Sequence, residues 1–138
     1  MSIDELTFLV EKFNDSLQME EKLYIKNSEL KAYSTTQIHY LDLIYHNQNI
    51  TISQIAKKLK VTKPSVTNTI EKLEKLELIN KISSDEDKRV QHVQLAKKGK
   101  RVAMLHEKFH EYFAIKLSMN LKEKEIAMLV EILKKGIE

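Results

Sequence analysis

The stretch "ISQIAKKLKVTKPSVTNTIEKL", residues 52–73, decides the fold of this chain. Thr51 and Gln54 have the spacing of a capping box, which predicts the start of a short helix. After about four residues, "KVTK", Thr62 can cap a second helix, and Pro64 falls in its first turn, where a missing N–H costs little. The apolar positions expected to face inward on the second helix are Val66, Ile70 and Leu73. Two short helices and a tight turn predict a helix-turn-helix, although the turn lacks its frequent glycine.

Directly after this helix pair, the apolar residues change from helical to alternating spacing. Residues 78–83 and 89–95 are short, β-rich and partly alternating, which predicts a two-stranded hairpin, or wing. The tip between them carries three acids, followed by Lys88 and Arg89. An ion pair between Asp87 and Arg89 would orient the guanidinium for entry into a narrow, negative minor groove. The alternative is an ordinary solvated turn.

Helical spacing also predicts the flanking elements. Further helices are expected over residues 3–27, 35–46 (capped by Ser34) and 97–118. Asn120 and Glu123 have capping-box spacing and predict the start of a last helix. Because the 138 residues include only two glycines and one proline, the chain is predicted to be mainly α: a winged helix-turn-helix with a helical dimerisation region.

The second helix of the pair is rich in short hydrogen-bonding side chains. In a helix-turn-helix this helix enters the major groove, where such groups reach base edges and lysines meet phosphates. Residues 53–101 carry 13 Lys/Arg and 6 Asp/Glu, a net charge of +7 that favours double-stranded DNA as the partner. The predicted DNA-binding residues are Ser53, Thr62, Lys63, Ser65, Thr67, Asn68, Thr69, Lys72, Lys88 and Arg89. The alternatives are a solvated surface helix and a winged helix that docks proteins without DNA.

Composition excludes other classes of protein. There is no cysteine, hence no disulfide, thiolate zinc site or thiol redox sensor. The N-terminus has acids where a signal peptide needs a basic start and an apolar run. No apolar stretch approaches the roughly 20 residues of a membrane span, so we expect a cytoplasmic protein without membrane contact.

A second motif, "HEKFH" at residues 106–110, spells the H-E-x-x-H of a zinc peptidase. Such an enzyme needs a third ligand, and the extended form of the motif fails because Phe113 and Lys116 replace its Gly and His. The chain also lacks a sheet against which a peptide substrate could lie. We therefore predict no enzymatic activity, with a metallopeptidase as a remote alternative.

The region "ISQIAKKLKVTKPSVTNTIEKLEKLELINKISSDEDKRVQHVQLAKKG" resembles the MarR family of winged-helix transcriptional regulators. The resemblance joins the helix pair, the strand after a leucine-rich recognition helix, Asp87-Lys88-Arg89 in the wing, and the run Leu95–Gly99. It implies a homodimer formed by the first helix and the last two. Each recognition helix would lie in one half of an inverted-repeat operator, and we predict a repressor. One departure is Ala96, where the family usually has a capping Thr.

The terminal helices give a physical reason for the dimer. They carry more apolar side chains than a thin monomeric layer could bury, and a twofold interface would cover them and match a palindromic site. The predicted interface residues are Leu6, Leu9, Phe13, Phe109, Phe113, Leu129 and Leu133, together with Phe8. We predict one integrated domain, in which residues 1–33 and 100–138 dimerise and residues 34–99 bind DNA.

The effector is left open by the sequence. His106 and His110 lie at the edge of the apolar stripe, where interfacial hydrogen bonding is one interpretation. Regulatory zinc is another, with His39 or a carboxylate such as Glu20 or Glu21 completing the ligands; some family members respond to zinc. "RVQHVQLAKKG" and "LHEKFH" also resemble the subgroup that regulates fatty-acid synthesis, which implies an acyl effector.

Overall fold

The computed structural model describes residues 2–138, which form six α-helices and three short strands. The elements in chain order are α1 (Ile3–Lys26), α2 (Thr35–His46), β1 (Ile50–Thr51), α3 (Ile52–Leu59), α4 (Lys63–Lys75), β2 (Ile79–Ser83), β3 (Gln91–Leu95), α5 (Lys97–Ser118) and α6 (Glu123–Ile137). A short 3₁₀ turn, Glu29–Ala32, precedes α2. The predicted mainly helical class is confirmed, and no described helix combines the length and apolar composition needed to span a membrane.

Three helices begin at the residues that the sequence predicts. The Ser34 hydroxyl accepts a hydrogen bond from the Gln37 backbone N–H, and the Gln37 side chain accepts from Ser34 in return. Thr51 forms the same reciprocal box with Gln54 at the start of α3. At α4 the Thr62 hydroxyl accepts from the Ser65 N–H at 3.3 Å. These local bonds satisfy backbone donors that a helix leaves unpaired at its first turn.

The turn between α3 and α4 reverses the chain without a glycine. Only Lys60, Val61 and Thr62 separate the two helices. Lys60 adopts the left-handed conformation, with φ of 55°, and its N–H bonds back to the Ala56 carbonyl. Lysine therefore fills a position that usually favours glycine.

The sheet has three strands, in the order β1-β3-β2, rather than the two that were predicted. The predicted hairpin is present and antiparallel, with Ile79 opposite Leu95. The additional strand, β1, pairs Ile50 with Val93. Two residues are too few to show alternation, and Thr51 also caps α3, so the sequence pattern there is that of a helix start.

The start of α6 also differs from the prediction. The predicted box of Asn120 and Glu123 does not form; α6 begins at Glu123 after Lys122. The Glu125 carboxylate accepts from the Lys122 N–H at 2.7 Å. A lysine side chain has no acceptor for the backbone N–H groups of the first turn. Of the two reciprocal bonds of a capping box, only the one from the Lys122 N–H to Glu125 is therefore present. The pattern of a polar residue three positions before an acid occurs twice here, and the later pair forms the contact.

The chain divides into two compact units, each of which is described by itself. One unit is Tyr24–Glu107, and the other takes the chain up to Leu23 together with Lys108–Glu138. The boundaries fall inside α1 and α5 rather than near residues 33 and 100. Because a continuous helix carries no linker composition, the sequence gives no signal of such a boundary.

The unit Tyr24–Glu107 has a well-developed apolar core. Side chains of all its helices and strands contribute to it, and the fully buried members include Leu30, Ile38, Leu41, Ile55, Val66, Ile70, Leu73, Leu78 and Val93. The three predicted inward positions of α4 are among them. Their burial fixes which face of α4 remains exposed, because side chains recur on one helix face every three or four residues.

The other unit packs aromatic rings against one another and joins α1 to α5 by an ion pair. The rings of Phe13 and Phe113 meet edge to face with centroids 5.6 Å apart, and Phe109 lies 6.1 Å from Phe113. The Lys116 ammonium donates to the Glu20 carboxylate, and this hydrogen bond raises the pKa of Lys116. Glu20, one of the carboxylates suggested as metal ligands, is therefore paired with a lysine.

Gly99 packs directly against the backbone of residue 78. A Cβ at position 99 would lie 1.9 Å from the Leu78 carbonyl oxygen and 2.9 Å from its carbonyl carbon. That same oxygen accepts the Ala96 N–H at 2.9 Å. Only glycine lets the first turn of α5 approach this carbonyl so closely.

We therefore expect Gly99→Ala to lower the free energy of unfolding by about 1–3 kcal/mol or more, the usual cost of overpacking. The control is Gly136→Ala in α6, where an added Cβ meets nothing within 4 Å. That change should be neutral or slightly stabilising, because alanine favours a helix over glycine. Thermal and urea unfolding of both variants measures the difference, and equal stabilities would contradict the close packing.

Candidate nucleic-acid interface

The exposed face of α4 presents most of the predicted base-contacting side chains. With Val66, Ile70 and Leu73 buried, Ser65 and Asn68 lie exposed, while Thr67 and Thr69 are half-buried. The Thr69 hydroxyl donates to the Ser65 carbonyl at 3.2 Å, so its hydrogen is used within the helix while its oxygen can still accept. Lys63 and Lys72 are exposed at the two ends of the helix.

Several predicted residues from separate segments line one open cleft. This feature, the wing cleft, has a volume of about 440 Å³ and lies among the starts of α3 and α4 and the wing. Its lining includes four predicted contacts, Ser53, Lys63, Thr67 and Arg89. The remaining lining residues, which were not predicted to contact DNA, are Thr51, Ile52, Val90 and Gln91. Each lies within two positions of a predicted contact in sequence, and that proximity is the signal that could have indicated them.

In the described part of the chain, the other predicted DNA contacts lie outside the lining of the wing cleft. The Thr62 hydroxyl accepts the capping hydrogen bond of α4, as described above. Ser65, Asn68, Thr69 and Lys72 belong to the face of α4, and Lys88 is exposed at the tip of the wing. The predicted set therefore divides into a cleft group and a group on the helix face and wing tip.

The wing tip is organised by the predicted pair of Asp87 and Arg89. The Arg89 guanidinium donates from Nε to Oδ1 and from Nη2 to Oδ2 of Asp87, both at 3.1 Å. The Arg89 backbone N–H also donates to Oδ1, at 2.9 Å. Two parallel bonds fix the plane of the guanidinium, whose side chain is nevertheless 91% exposed. The tip is therefore an oriented, solvent-facing arginine rather than an irregular turn.

The hydrogen bonds from Arg89 lower the pKa of Asp87 below its ordinary value. A carboxyl with a lowered pKa keeps its interaction above its ordinary range and loses it as the pH falls through the lowered value. The wing pair is therefore complete at neutral pH and opens only in acid. Both groups are solvent-exposed, so salt weakens the pair.

Within the unit Tyr24–Glu107, one histidine of α2 and one histidine of α5 each pair with a carboxylate of the other helix. His106 is 1% exposed, and its Nδ1 lies 2.5 Å from Oδ2 of Asp42. The His39 and His106 ring centroids are 5.8 Å apart. Asp42 was not among the sequence candidates; its position three residues after His39, nearly one helical turn, is the signal that could have found it.

The second pair is formed by Glu107 of α5 and His46 of α2. The Glu107 carboxylate bonds Nε2 of His46, a contact that joins α5 to α2. A carboxylate committed to an imidazole and a fully buried His106 do not form the open catalytic site that a zinc peptidase needs. His110 is exposed and belongs to the other compact unit.

A helix-turn-helix followed by a short sheet with an arginine-tipped wing defines a winged-helix protein. A model of the MarR family matches residues 33–90. The transcriptional regulator MhqR of Bacillus subtilis strain 168 is 31% identical over 112 residues, which cover 80% of this chain and 76% of MhqR. The chain belongs to the MarR family and is a transcriptional regulator of that family. Its relatives are regulators rather than enzymes.

Solved structures agree with this assignment. Streptococcus pneumoniae FabT, in a crystal structure in complex with DNA, is 32% identical, with a TM-score of 0.81 over 97% of this chain and 93% of FabT. A MarR family protein from Bacillus stearothermophilus has a TM-score of 0.84 over 96% of this chain and 91% of its own, at 17% identity. The latter comparison supports the fold alone.

We expect Arg89→Ala to weaken binding to the preferred DNA sequence by about 1–3 kcal/mol, because the oriented guanidinium is lost. Asp87→Asn keeps the arginine but removes its charged acceptor, so a smaller loss is expected. Fluorescence anisotropy at physiological salt measures both.

The matched control is Arg101→Ala, which removes an arginine whose guanidinium bonds Glu29 at 3.0 Å instead of lining the wing cleft. Arg101→Ala should change affinity little. If Arg89→Ala and Arg101→Ala had equal effects, Arg89 would contribute only general charge.

Proposed function

We propose that the protein binds an inverted-repeat operator as a homodimer and acts as a repressor in the cytoplasm. The observation that carries this proposal is the wing cleft, which brings Ser53, Lys63, Thr67 and Arg89 together from three segments of the chain. The likeness to FabT, whose crystal structure is in complex with DNA, supports the same use of the fold.

The side chains divide into two roles on chemical grounds. Ser65, Thr67, Asn68 and Thr69 carry short donors and acceptors suited to base edges, and asparagine can pair bidentately with adenine. Lys63 and Lys72 are cations suited to phosphates, which position the helix without reading sequence. Arg89 is suited to the minor groove beside the site.

The dimer is supported by exposed apolar side chains of the unit that includes α6. Leu6, Leu9 and Phe13 of α1 are 54%, 53% and 46% exposed, and Leu133 of α6 is 47% exposed. Phe113 and Leu129 are half-buried. So much exposed apolar surface on single helices favours a partner, and a twofold partner suits an inverted repeat.

Phe109 is a correction to the predicted interface. Its side chain is 0% exposed within one chain, so it has no surface to offer a second copy. Phe109 therefore packs within its own chain, although it belongs to the apolar stripe of α5. The proposed interface rests on α1, α6 and the partly exposed Phe113.

Selection of bound sequences from random DNA tests the operator proposal. The wild-type protein is expected to enrich an inverted repeat. Asn68→Ala should relax the preference at one position of each half-site, because a base contact is lost while phosphate contacts stay. Sedimentation of the complex on the enriched sequence should give two chains per duplex.

Lys72→Ala is the matched control for Asn68→Ala on the same helix. It should keep the enriched sequence but lower the slope of log affinity against log salt by about one unit. Enrichment of a sequence without inverted repeats would contradict the homodimer, and no enrichment at all would favour a winged helix that docks proteins.

A second proposal concerns the effector: we propose that regulatory zinc binds through His39 of α2 and His106 of α5. The donor set fits, because imidazole and carboxylate ligands suit zinc. The 5.8 Å between the His39 and His106 rings is close to the roughly 5 Å expected for two imidazoles with Zn–N bonds of about 2.0–2.1 Å. In addition, Oδ1 of Asp42 is buried without a hydrogen-bond partner among residues 2–138. Bound zinc would supply a charge that changes the affinity for DNA.

We expect protein purified without chelator to bind one zinc per chain, and His39→Ala and His106→Ala to weaken that binding at least tenfold. The control is His46→Ala, whose imidazole is exposed and bonds Glu107. Competition with a chromophoric chelator measures the affinities. Absence of zinc binding together with a copurified acyl chain would support the acyl effector instead.

A further inference from the structure

Gln91 places an amide on the wing side of the wing cleft. It is the first residue of β3, where it pairs with Ser83 of β2, and it lies two positions after Arg89. Both Arg89 and Gln91 line the wing cleft. Gln91 is half-buried, and its amide makes no hydrogen bond within residues 2–138. The N–H donors and the oxygen of this amide are therefore available to a ligand in the cleft.

The alternation of β3 fixes the direction of this side chain. Successive side chains of a strand point to opposite faces of the sheet, so Gln91 shares a face with the fully buried Val93. His92 and Gln94 belong to the other face, and both contact Asn49. The Nδ1 atom of His92 lies 2.7 Å from the Asn49 carbonyl oxygen, and the Gln94 amide donates to the Asn49 side chain. Gln91 therefore lies at the edge of the core face, where that face opens into the wing cleft.

The position of the wing cleft determines which part of a DNA duplex it meets. The cleft lies between the start of α4 and the wing. With α4 in the major groove and Arg89 in the adjacent minor groove, the sugar–phosphate strand that separates the two grooves passes between these elements. Base edges lie inside a groove and are reached by protruding elements, whereas a recessed cleft suits the protruding strand. We propose that Gln91 is a further DNA contact, whose amide donates a hydrogen bond to a phosphate of this strand; this inference rests on the DNA-binding mode proposed above.

The charges of the cleft favour a phosphate. Its lining includes the cations Lys63 and Arg89, and no acidic residue of the described chain lines it. Arg89 shares its charge with Asp87, but Lys63 makes no ion pair within residues 2–138. Gln91 adds a directed donor to this positive surface without adding charge. A neutral donor displaces no counterion from DNA, so its contribution to affinity does not depend on salt in the way that a lysine's does.

The first test compares Gln91→Lys with Gln94→Lys, two positions on opposite faces of one strand. A lysine at position 91 would meet the phosphate, so the slope of log affinity against log salt should steepen by about one unit. Gln94→Lys adds the same charge outside the wing cleft and should leave the slope close to that of the wild type. Fluorescence anisotropy on the enriched sequence, at a series of salt concentrations, measures both slopes. Equal slopes for the two variants would overturn the inference.

The second test is Gln91→Ala, which removes the donor without changing the charge. We expect affinity to fall about tenfold, as for a lost hydrogen bond to a charged group, with the salt slope unchanged. Selection from random DNA should return the same sequence as the wild type, because a phosphate contact carries no sequence information. Unchanged affinity would overturn the role of Gln91, and a preference relaxed at one position would overturn the phosphate contact in favour of a base contact. A wild-type protein that binds no DNA duplex would instead overturn the proposed function itself.

Discussion

The carbonyl of Leu78 is the contact on which the arrangement of the DNA-binding unit depends. Leu78 donates its own N–H to the Leu73 carbonyl at 3.0 Å, which closes the end of α4. Its oxygen accepts from Ala96 and lies against Gly99, which fixes where α5 begins. The start of a helix sets the phase of every later side chain, because each residue rotates it by a fixed angle. The backbone of one residue therefore decides that Ala103 and His106 face the interior.

Aspartates orient other groups at both ends of this unit. Asp87 holds the Arg89 guanidinium in a fixed plane at the wing tip, and it reduces the net charge there by one. Asp42 does the same for an imidazole inside the protein. At the wing the structure gives up electrostatic attraction for geometry, which makes sense where a ligand is recognised by the direction of a donor. Asp87, which looks unfavourable beside DNA on charge alone, is explained in this way.

The sequence predicted those parts of the structure that depend on local bonds. The capping residues Ser34, Thr51 and Thr62 determine where α2, α3 and α4 begin, since a hydroxyl and an amide a few positions apart are enough. The Asp87–Arg89 pair was predictable for the same reason. Strand β1 was not, because its two residues are defined only by their pairing with β3.

The misses in the site have a related cause. The partners Asp42 and His106 are 64 positions apart, and no periodicity within α2 or α5 reports a contact between the helices. Phe109 lies on an apolar stripe of α5, but the sequence of such a stripe does not indicate whether its side chains are buried by the same chain or by a second copy. The boundaries of the two compact units fall inside α1 and α5, which are continuous helices and carry no linker composition that a sequence could show.

The left-handed Lys60 has a consequence beyond the turn that it forms. Left-handed backbone also occurs at Asn49 and Glu77, and no glycine of the described chain has a positive φ. A side chain in this conformation costs energy in the folded state, but it also restricts the unfolded chain more than glycine would. The strain of these turns is thus partly offset by a smaller loss of conformational entropy on folding. Because residues with side chains rather than glycines stand where the folded chain reverses, the unfolded chain has fewer backbone conformations available at those positions.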